Sequence, residues 1–257
     1  MGADDAIAAL RGEFLRVRGY WSPQIEEIAR LDPGYFRAFL DFSAVPWRHG
    51  TLEPKVRELI YIAVAAATTH LYEPALRAHI RNALRHGATR EEIMEVFELV
   101  SVLGIHAISL GFPALAAVAG ETGRGGEIPS GPLSAHQEAL KQSFIDARGY
   151  WSGFWESVLL IDPPLFAAYA AFSSVPWQHG PLPPKIKEFI YVAIDAATTH
   201  MFDEGTRAHM KNAFAHGATV AELVEVLELT SVIGFHSLTL GVPVLLDELK
   251  RAESHPA

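Results

Sequence analysis

The chain repeats itself at a fixed distance of 130 residues, and no other feature of the sequence constrains its fold as tightly. RGYWS at Arg18–Ser22 returns unchanged at Arg148–Ser152, and VPWRHG at Val45–Gly50 returns as VPWQHG at Val175–Gly180. AATTH at Ala66–His70 recurs at Ala196–His200, and HGAT at His86–Thr89 recurs at His216–Thr219. The register holds through LGFP at Leu110 and LGVP at Leu240, with about half the positions identical over some 95 residues and no insertion. Solenoid repeats recur every ~20–50 residues, so a unit this long is a tandem pair of domains. Residues 1–119 form the first repeat and 133–257 the second. Residues 120–132, GETGRGGEIPSGP, read as a linker, being rich in Gly and Pro without apolar periodicity.

Each repeat reads as helix throughout. Ile7, Leu10, Phe14 and Val17 fall on one helical face. Ser22-Pro23 and Asp32-Pro33 are N-caps with Pro at the first helical position. Pro54 opens a third helix, running from Glu58 to Thr69, whose LIYIAVAAA stretch is apolar all round and belongs at the centre of the core. Pro74 opens the next, which Gly87 stops, and Thr89 with Glu92 is a capping box for a helix through Leu103. No segment alternates with period two. The expectation is an all-α fold of two tandem helical domains.

Composition removes whole classes of function. With no cysteine among 257 residues, disulfides, zinc–thiolate sites, iron–sulfur clusters and thiol nucleophiles are excluded. A net charge of -9 leaves nothing to neutralise phosphates, so no nucleic-acid partner is expected. The opening residues carry Asp4 and Asp5 and do not resemble a secretory leader, which gives a cytoplasmic expectation. Leu99–Gly120 has no charged residue and is long enough for a bilayer. His106 and Pro113 within it favour a buried core helix followed by a bend, so no membrane partner is expected.

The chemistry belongs where polar groups interrupt apolar faces, because burying them is costly without partners. Ten of the twelve histidines form five offset pairs: His49/His179, His70/His200, His79/His209, His86/His216 and His106/His236. His86 precedes the helix-stopping Gly87 and complements a helix C-terminus. His49 shapes a turn or lines a site, while Glu92 and Glu95 read as a solvated face. The remaining set, Glu58, His70, His79, Glu98 and His106, lies in apolar surroundings and is expected to share one site within the first repeat. Glu188, His200, His209, Glu228 and His236 repeat it in the second. Glu98 and His106 stand about two turns apart on one face if their helix continues.

LEPKVRELIYIAVAAATTH at Leu52–His70 and LRAHIRNALRHGATREEIMEVFELV at Leu76–Val100, with their copies, cover about half of the chain. Together they resemble the carboxymuconolactone decarboxylase and AhpD-like family. The RGYWS and PWRHG segments lie outside that pattern. The resemblance implies all-helical domains that associate through their central helices, and for a tandem chain a homotrimer with a pseudo-hexameric ring of domains. Redox members of the family carry two cysteines; here His70 stands at the first position and Ala75 at the second, so a dithiol peroxidase is excluded. The decarboxylases lack these cysteines and keep a His at the position of His79.

Three readings are open. In the first, a lyase or hydrolase without a required cofactor acts on a small oxygenated carboxylate or lactone of the kind met in aromatic-compound breakdown. His79 and His209 are then the general acid–base, His70, His106, His200 and His236 hold the substrate's anionic group, and Glu58 and Glu188 orient an imidazole. Arg77 and Arg207 read as exposed helix residues, with pairing to a substrate carboxylate as the alternative. In the second, His70, His79, Glu98 and His106, with His200, His209, Glu228 and His236, ligate zinc, iron or manganese. In the third, the chain is a ligand-binding or scaffold oligomer without catalysis. The copies differ at Ala65, which becomes Asp195.

Overall fold

A computed structural model describes residues 2–255, which contain fifteen α-helices and no strand. The first repeat supplies α1 (Ala3–Arg18), α2 (Pro23–Leu31), α3 (Pro33–Ser43), α4 (Val45–His49), α5 (Pro54–Ala66), α6 (Glu73–Arg85), α7 (Arg90–Ser101) and α8 (His106–Glu121). The second supplies α9 (Ala135–Arg148), α10 (Phe154–Ile161), α11 (Pro163–His179), α12 (Pro184–Ala196), α13 (Asp203–Ala215), α14 (Val220–Ser231) and α15 (His236–Ser254). Local chemistry sets these boundaries. Ser22 accepts the Ile25 N–H and Asp32 accepts the Tyr35 N–H, each just before a proline, and Thr89 and Glu92 satisfy one another's backbone donors. The linker begins after Glu121 and holds a short 3-10 turn at Gly125–Glu127.

Every side chain from Val56 to Ala65 is buried, so α5 is the central helix its composition demands. It does not centre a private core. One apolar cluster joins Leu59, Ile60, Val96 and Leu99 of the first repeat to Phe189, Ile190, Val226 and Leu229 of the second. Helices α5, α7, α12 and α14 therefore form a common core along the boundary between the repeats.

The repeats also exchange their last helices. Helix α8 packs on α10, and α15 packs on α2. Phe235, just before α15, stacks on Phe39 with ring centroids 3.6 Å apart, and joins the cluster of Ile25, Phe36 and Leu40. In the mirror arrangement Ile105, Ile108 and Phe112 pack against Phe144, Trp155 and Phe166. The expected buried helix with a bend at Pro113 is absent. Helix α8 continues through Pro113 and is largely exposed, Leu110 at 77% and Leu115 at 51%. The proline removes one hydrogen bond without ending a helix held by packing elsewhere. The continuous stretches Arg90–Glu121 and Val220–Ser254 are long and apolar enough, by composition alone, to cross a membrane.

The expected solvated face on α7 is only half present. Glu92 is half-buried and pairs with Lys55, but Glu95 is 1% exposed. Its carboxylate meets Lys187 of the second repeat at 2.7 Å and accepts the Leu182 N–H at 2.7 Å. Glu225 mirrors it, meeting Arg57 at 2.6 Å and accepting the N–H groups of Thr51 and Leu52. The PWRHG turn ends in Gly because a Cβ at Gly50 would lie 2.3 Å from the Glu225 carboxylate, and one at Gly180 would lie 2.0 Å from Glu95. Each turn is a socket for the other repeat's glutamate.

Candidate functional site

Helices α5 and α6 form an antiparallel pair that brings Glu58 and His79 together although they are 21 positions apart. Glu58 Oε2 accepts a hydrogen bond from His79 Nδ1 at 2.7 Å, and both side chains are almost fully buried. Asn82, one turn beyond His79, donates to Glu58 Oε1 at 3.2 Å and to the Arg18 carbonyl at 2.8 Å. A carboxylate on Nδ1 fixes the tautomer and leaves Nε2 for chemistry. The imidazole is stacked on Tyr61 at 4.4 Å, and Tyr20 meets its edge. Burial pushes the Tyr61 hydroxyl up to about 12. Arg18, 3% exposed, donates to that hydroxyl at 2.9 Å. Arg18, Tyr20, Tyr61 and His79 line one cavity.

His236, from the second repeat, lines the same cavity. Its Nδ1 lies 2.7 Å from Nε2 of His70, so one ring donates and the other accepts. Burial, with His70, His79 and Arg18 nearby, lowers His236 to about 3. His70 itself sits beyond the end of α5, in a turn closed by Leu71 at φ 50°. A leucine in left-handed backbone stores strain, and Met201 at φ 53° repeats it in the second copy.

The second pocket has the same plan. Glu188 holds His209 Nδ1 at 2.6 Å, Tyr191 stacks on the imidazole at 4.5 Å, and Arg148, Tyr150 and Tyr191 line the cavity. His106, from the first repeat, completes it, with Nδ1 2.6 Å from Nε2 of His200. Burial and the two histidines His200 and His209 lower His106 to about 3. Asp195 is the departure: it is 1% exposed, and burial raises its carboxyl to about 7.

Two expectations need correction. His106 and His236 do not join the site of their own repeat; each crosses to the other. Glu98 and Glu228 join neither site. They lie half-buried in surface grooves, Glu98 beside His179 and Gly180, Glu228 beside His49 and Gly50. The cause is the 3-10 turn at Val102–Ile105, repeated at Val232–Phe235. Four residues of 3-10 geometry rotate the following helix by about 80° relative to an unbroken α-helix. Glu98 and His106 therefore leave a common face. Arg77 and Arg207 are exposed and pair with Glu73 and Asp203.

The sequence profile of the carboxymuconolactone decarboxylase family matches residues 33–120 and again 163–240. The chain belongs to the carboxymuconolactone decarboxylase family. A crystal structure from Burkholderia xenovorans LB400, named as that of a "putative gamma-carboxymuconolactone decarboxylase subunit", is similar over 96% of this chain and 98% of its own. The two are 46% identical with a TM-score of 0.91. A Paracoccus denitrificans protein named "Uncharacterized protein 4 in cox locus" is 35% identical over 74 residues, 29% of this chain and 65% of its own length.

Within this carboxymuconolactone decarboxylase family chain, several residues of the two sites stood outside the expected set: Arg18, Tyr20 and Tyr61 in the cavity and Asn82 behind Glu58, with their copies, and Asp195. RGYWS carried a signal, since it returns without change, and its Arg and Tyr are the pair that enters the cavity.

The buried histidines make stability depend on pH with a definite sign. His236 titrates near 3 when folded and near its ordinary 6.5 when unfolded. Between those values the unfolded chain binds the additional proton. The contribution is thus fully present above pH 6.5 and is lost as pH falls toward 3. His236→Gln removes it. Urea unfolding at a series of pH values is expected to show a shallower loss of stability on acidification, by up to one proton, or about 1.4 kcal/mol per pH unit. An unchanged slope would mean that His236 is not held neutral.

Proposed function

We propose that this family member is a lyase that decarboxylates a small oxygenated carboxylate or lactone by histidine–carboxylate acid–base chemistry, with no required cofactor. The observation that carries the reading is the buried Glu58–His79 pair facing the same cavity as the buried Arg18 guanidinium, repeated as Glu188, His209 and Arg148. Arg18 replaces the histidines in the role of anion holder. It keeps its charge at every relevant pH, whereas His236 and the pair it forms with His70 are neutral near pH 7.

In the proposed reaction Arg18 binds an anionic oxygen of the substrate. The bond to the departing carboxylate breaks, CO2 leaves, and the electron pair passes into the conjugated carbonyl. His79 Nε2, protonated at this stage, donates its proton to carbon. Glu58 stabilises the imidazolium through Nδ1, and the ring returns to its starting state by taking a proton from water. The test is turnover of gamma-carboxymuconolactone by the purified chain, followed as CO2 release. The expected result is release that Arg18→Met with Arg148→Met slows chiefly through a raised KM. No release from this compound or from related lactone acids would sink the reading in favour of a binding protein.

The proposal includes self-association. Leu110, Leu115 and Val118 on α8, and Leu240, Val244 and Leu245 on α15, are all at least half exposed, more apolar surface than a solitary soluble chain carries comfortably. A homotrimer covers it. Light scattering is expected to give three times the 28.1 kDa chain mass, and Leu110→Lys with Leu240→Lys should release monomer. A wild-type monomer would end this part of the proposal.

A further inference from the structure

The two pockets are not equivalent, and the differences are concerted. Where the first repeat has Ala65 and Ala75, the second has Asp195 and Gly205. The two substitutions belong together. A Cβ on Gly205 would lie 2.1 Å from Asp195 Oδ2, so the carboxylate occupies the space that an alanine at 205 would fill. A glycine inside the first turn of a helix is unfavourable by itself. It is explained here by the carboxylate it admits.

That carboxylate has no adequate partner. Asp195 is 1% exposed, and its Oδ2 makes no hydrogen bond. The groups nearest it are imidazoles: His106 Nδ1 lies 3.9 Å from Oδ1, and His209 Nε2 lies 3.9 Å from Oδ2. His106, Asp195 and His200 each bring one ligand atom within 4.8 Å of the others. Two imidazole nitrogens from half-buried histidines and one oxygen of a buried carboxylate, gathered at the edge of the second pocket, are a donor set for a divalent transition metal. The two nitrogens now stand 2.6 Å apart. Ligands on a tetrahedral ion at ordinary bond lengths stand about 3.3 Å apart, so binding requires the rings to part by less than an ångström and the Asp195 carboxylate to close in from 3.9 Å.

We propose that the second pocket binds one divalent transition-metal ion through His106 Nδ1, His200 Nε2 and Asp195, and that the first pocket binds none. In the first pocket His70 and His236 keep their positions, but Ala65 supplies no third ligand. Tyr72 instead hydrogen-bonds Thr239 at 2.6 Å beside them. The duplicated chain has thereby acquired one metal-binding pocket next to one metal-free pocket. The metal assignment goes beyond the acid–base reading and does not rest on it, because it is tested by binding alone.

The experiment titrates Co2+ into the full-length, tag-free chain after chelator dialysis, following the visible bands of the bound ion, with Zn2+ as competitor. One ion per chain is expected, displaced by Zn2+. Asp195→Ala, which only restores the residue found at the equivalent position 65, should weaken binding by about 100-fold or more, beyond the loss typical when an outer partner of a ligand is removed. His200→Ala should do the same, and His70→Ala should leave one ion bound. Ala65→Asp with Ala75→Gly should raise the stoichiometry to two. A wild-type stoichiometry of zero or two, binding that survives Asp195→Ala, or a folded double variant that still takes one ion would overturn the proposal.

Discussion

Replacing both His79 and His209 with Gln is expected to lower decarboxylation by about 10²–10⁴-fold, the range that general acid–base catalysis supplies, with far less effect on stability. Glutamine suits the test better than alanine. Alanine would open a cavity and leave Glu58 a buried carboxylate without its partner, a strongly destabilising change in its own right. A glutamine amide can still donate to Glu58, so the buried carboxylate remains satisfied while the titrating nitrogen is gone. The single variants separate the pockets. If both work, His79→Gln and His209→Gln each leave part of the activity, and their remainders sum to roughly the wild-type rate. If Asp195 has changed the second pocket's task, nearly all activity disappears with His79→Gln alone. Preserved turnover in the double variant, with unchanged dependence on pH, would remove these imidazoles from the reaction.

What the sequence disclosed and what it concealed differ in physical kind. Helices and their caps depend on neighbours a few positions away, so Ser22-Pro23, Asp32-Pro33 and Thr89 with Glu92 could be read directly. The apolar run in α5 could only be central. Glu58 and His79 could be placed in one site because each interrupts an apolar face on consecutive helices, but that His79 is the imidazole Glu58 orients comes from the turn that brings them side by side. The exchange of α8 and α15 was not legible. A helix with an apolar face packs equally well on its own repeat or on the copy, and the choice is made by the short 3-10 turn before it, which has no sharp sequence signature. The same turn misplaced Glu98. The glutamate that matters on α7 is one turn earlier, and its partners, Lys187 and the Leu182 N–H, lie 92 and 87 positions away. No local pattern reports them.

Those distant partners give the second large effect. Glu225→Ala is expected to destabilise the fold by about 3–5 kcal/mol, the cost of leaving a buried charge without its counterion. The truncation strands the Arg57 guanidinium, 8% exposed in its side chain, and leaves the N–H groups of Thr51 and Leu52 without an acceptor. For a chain of this size the melting temperature should fall by about 6–20 °C. Glu225→Gln should fall between the variant and the wild type, because an amide oxygen can serve the two N–H groups but cannot balance the charge. Glu98→Ala is the contrast, since its half-buried side chain lies in a surface groove, and should change stability by no more than about 0.5 kcal/mol. Circular dichroism melts of the three variants decide the matter. Equal, small shifts for Glu225→Ala and Glu98→Ala would mean that the sockets at Gly50 and Gly180 do not lock the repeats. The expected inequality would place the energetic seam of the molecule at these sockets, and a single transition for Glu225→Ala at the lower temperature would follow from the core that both repeats share.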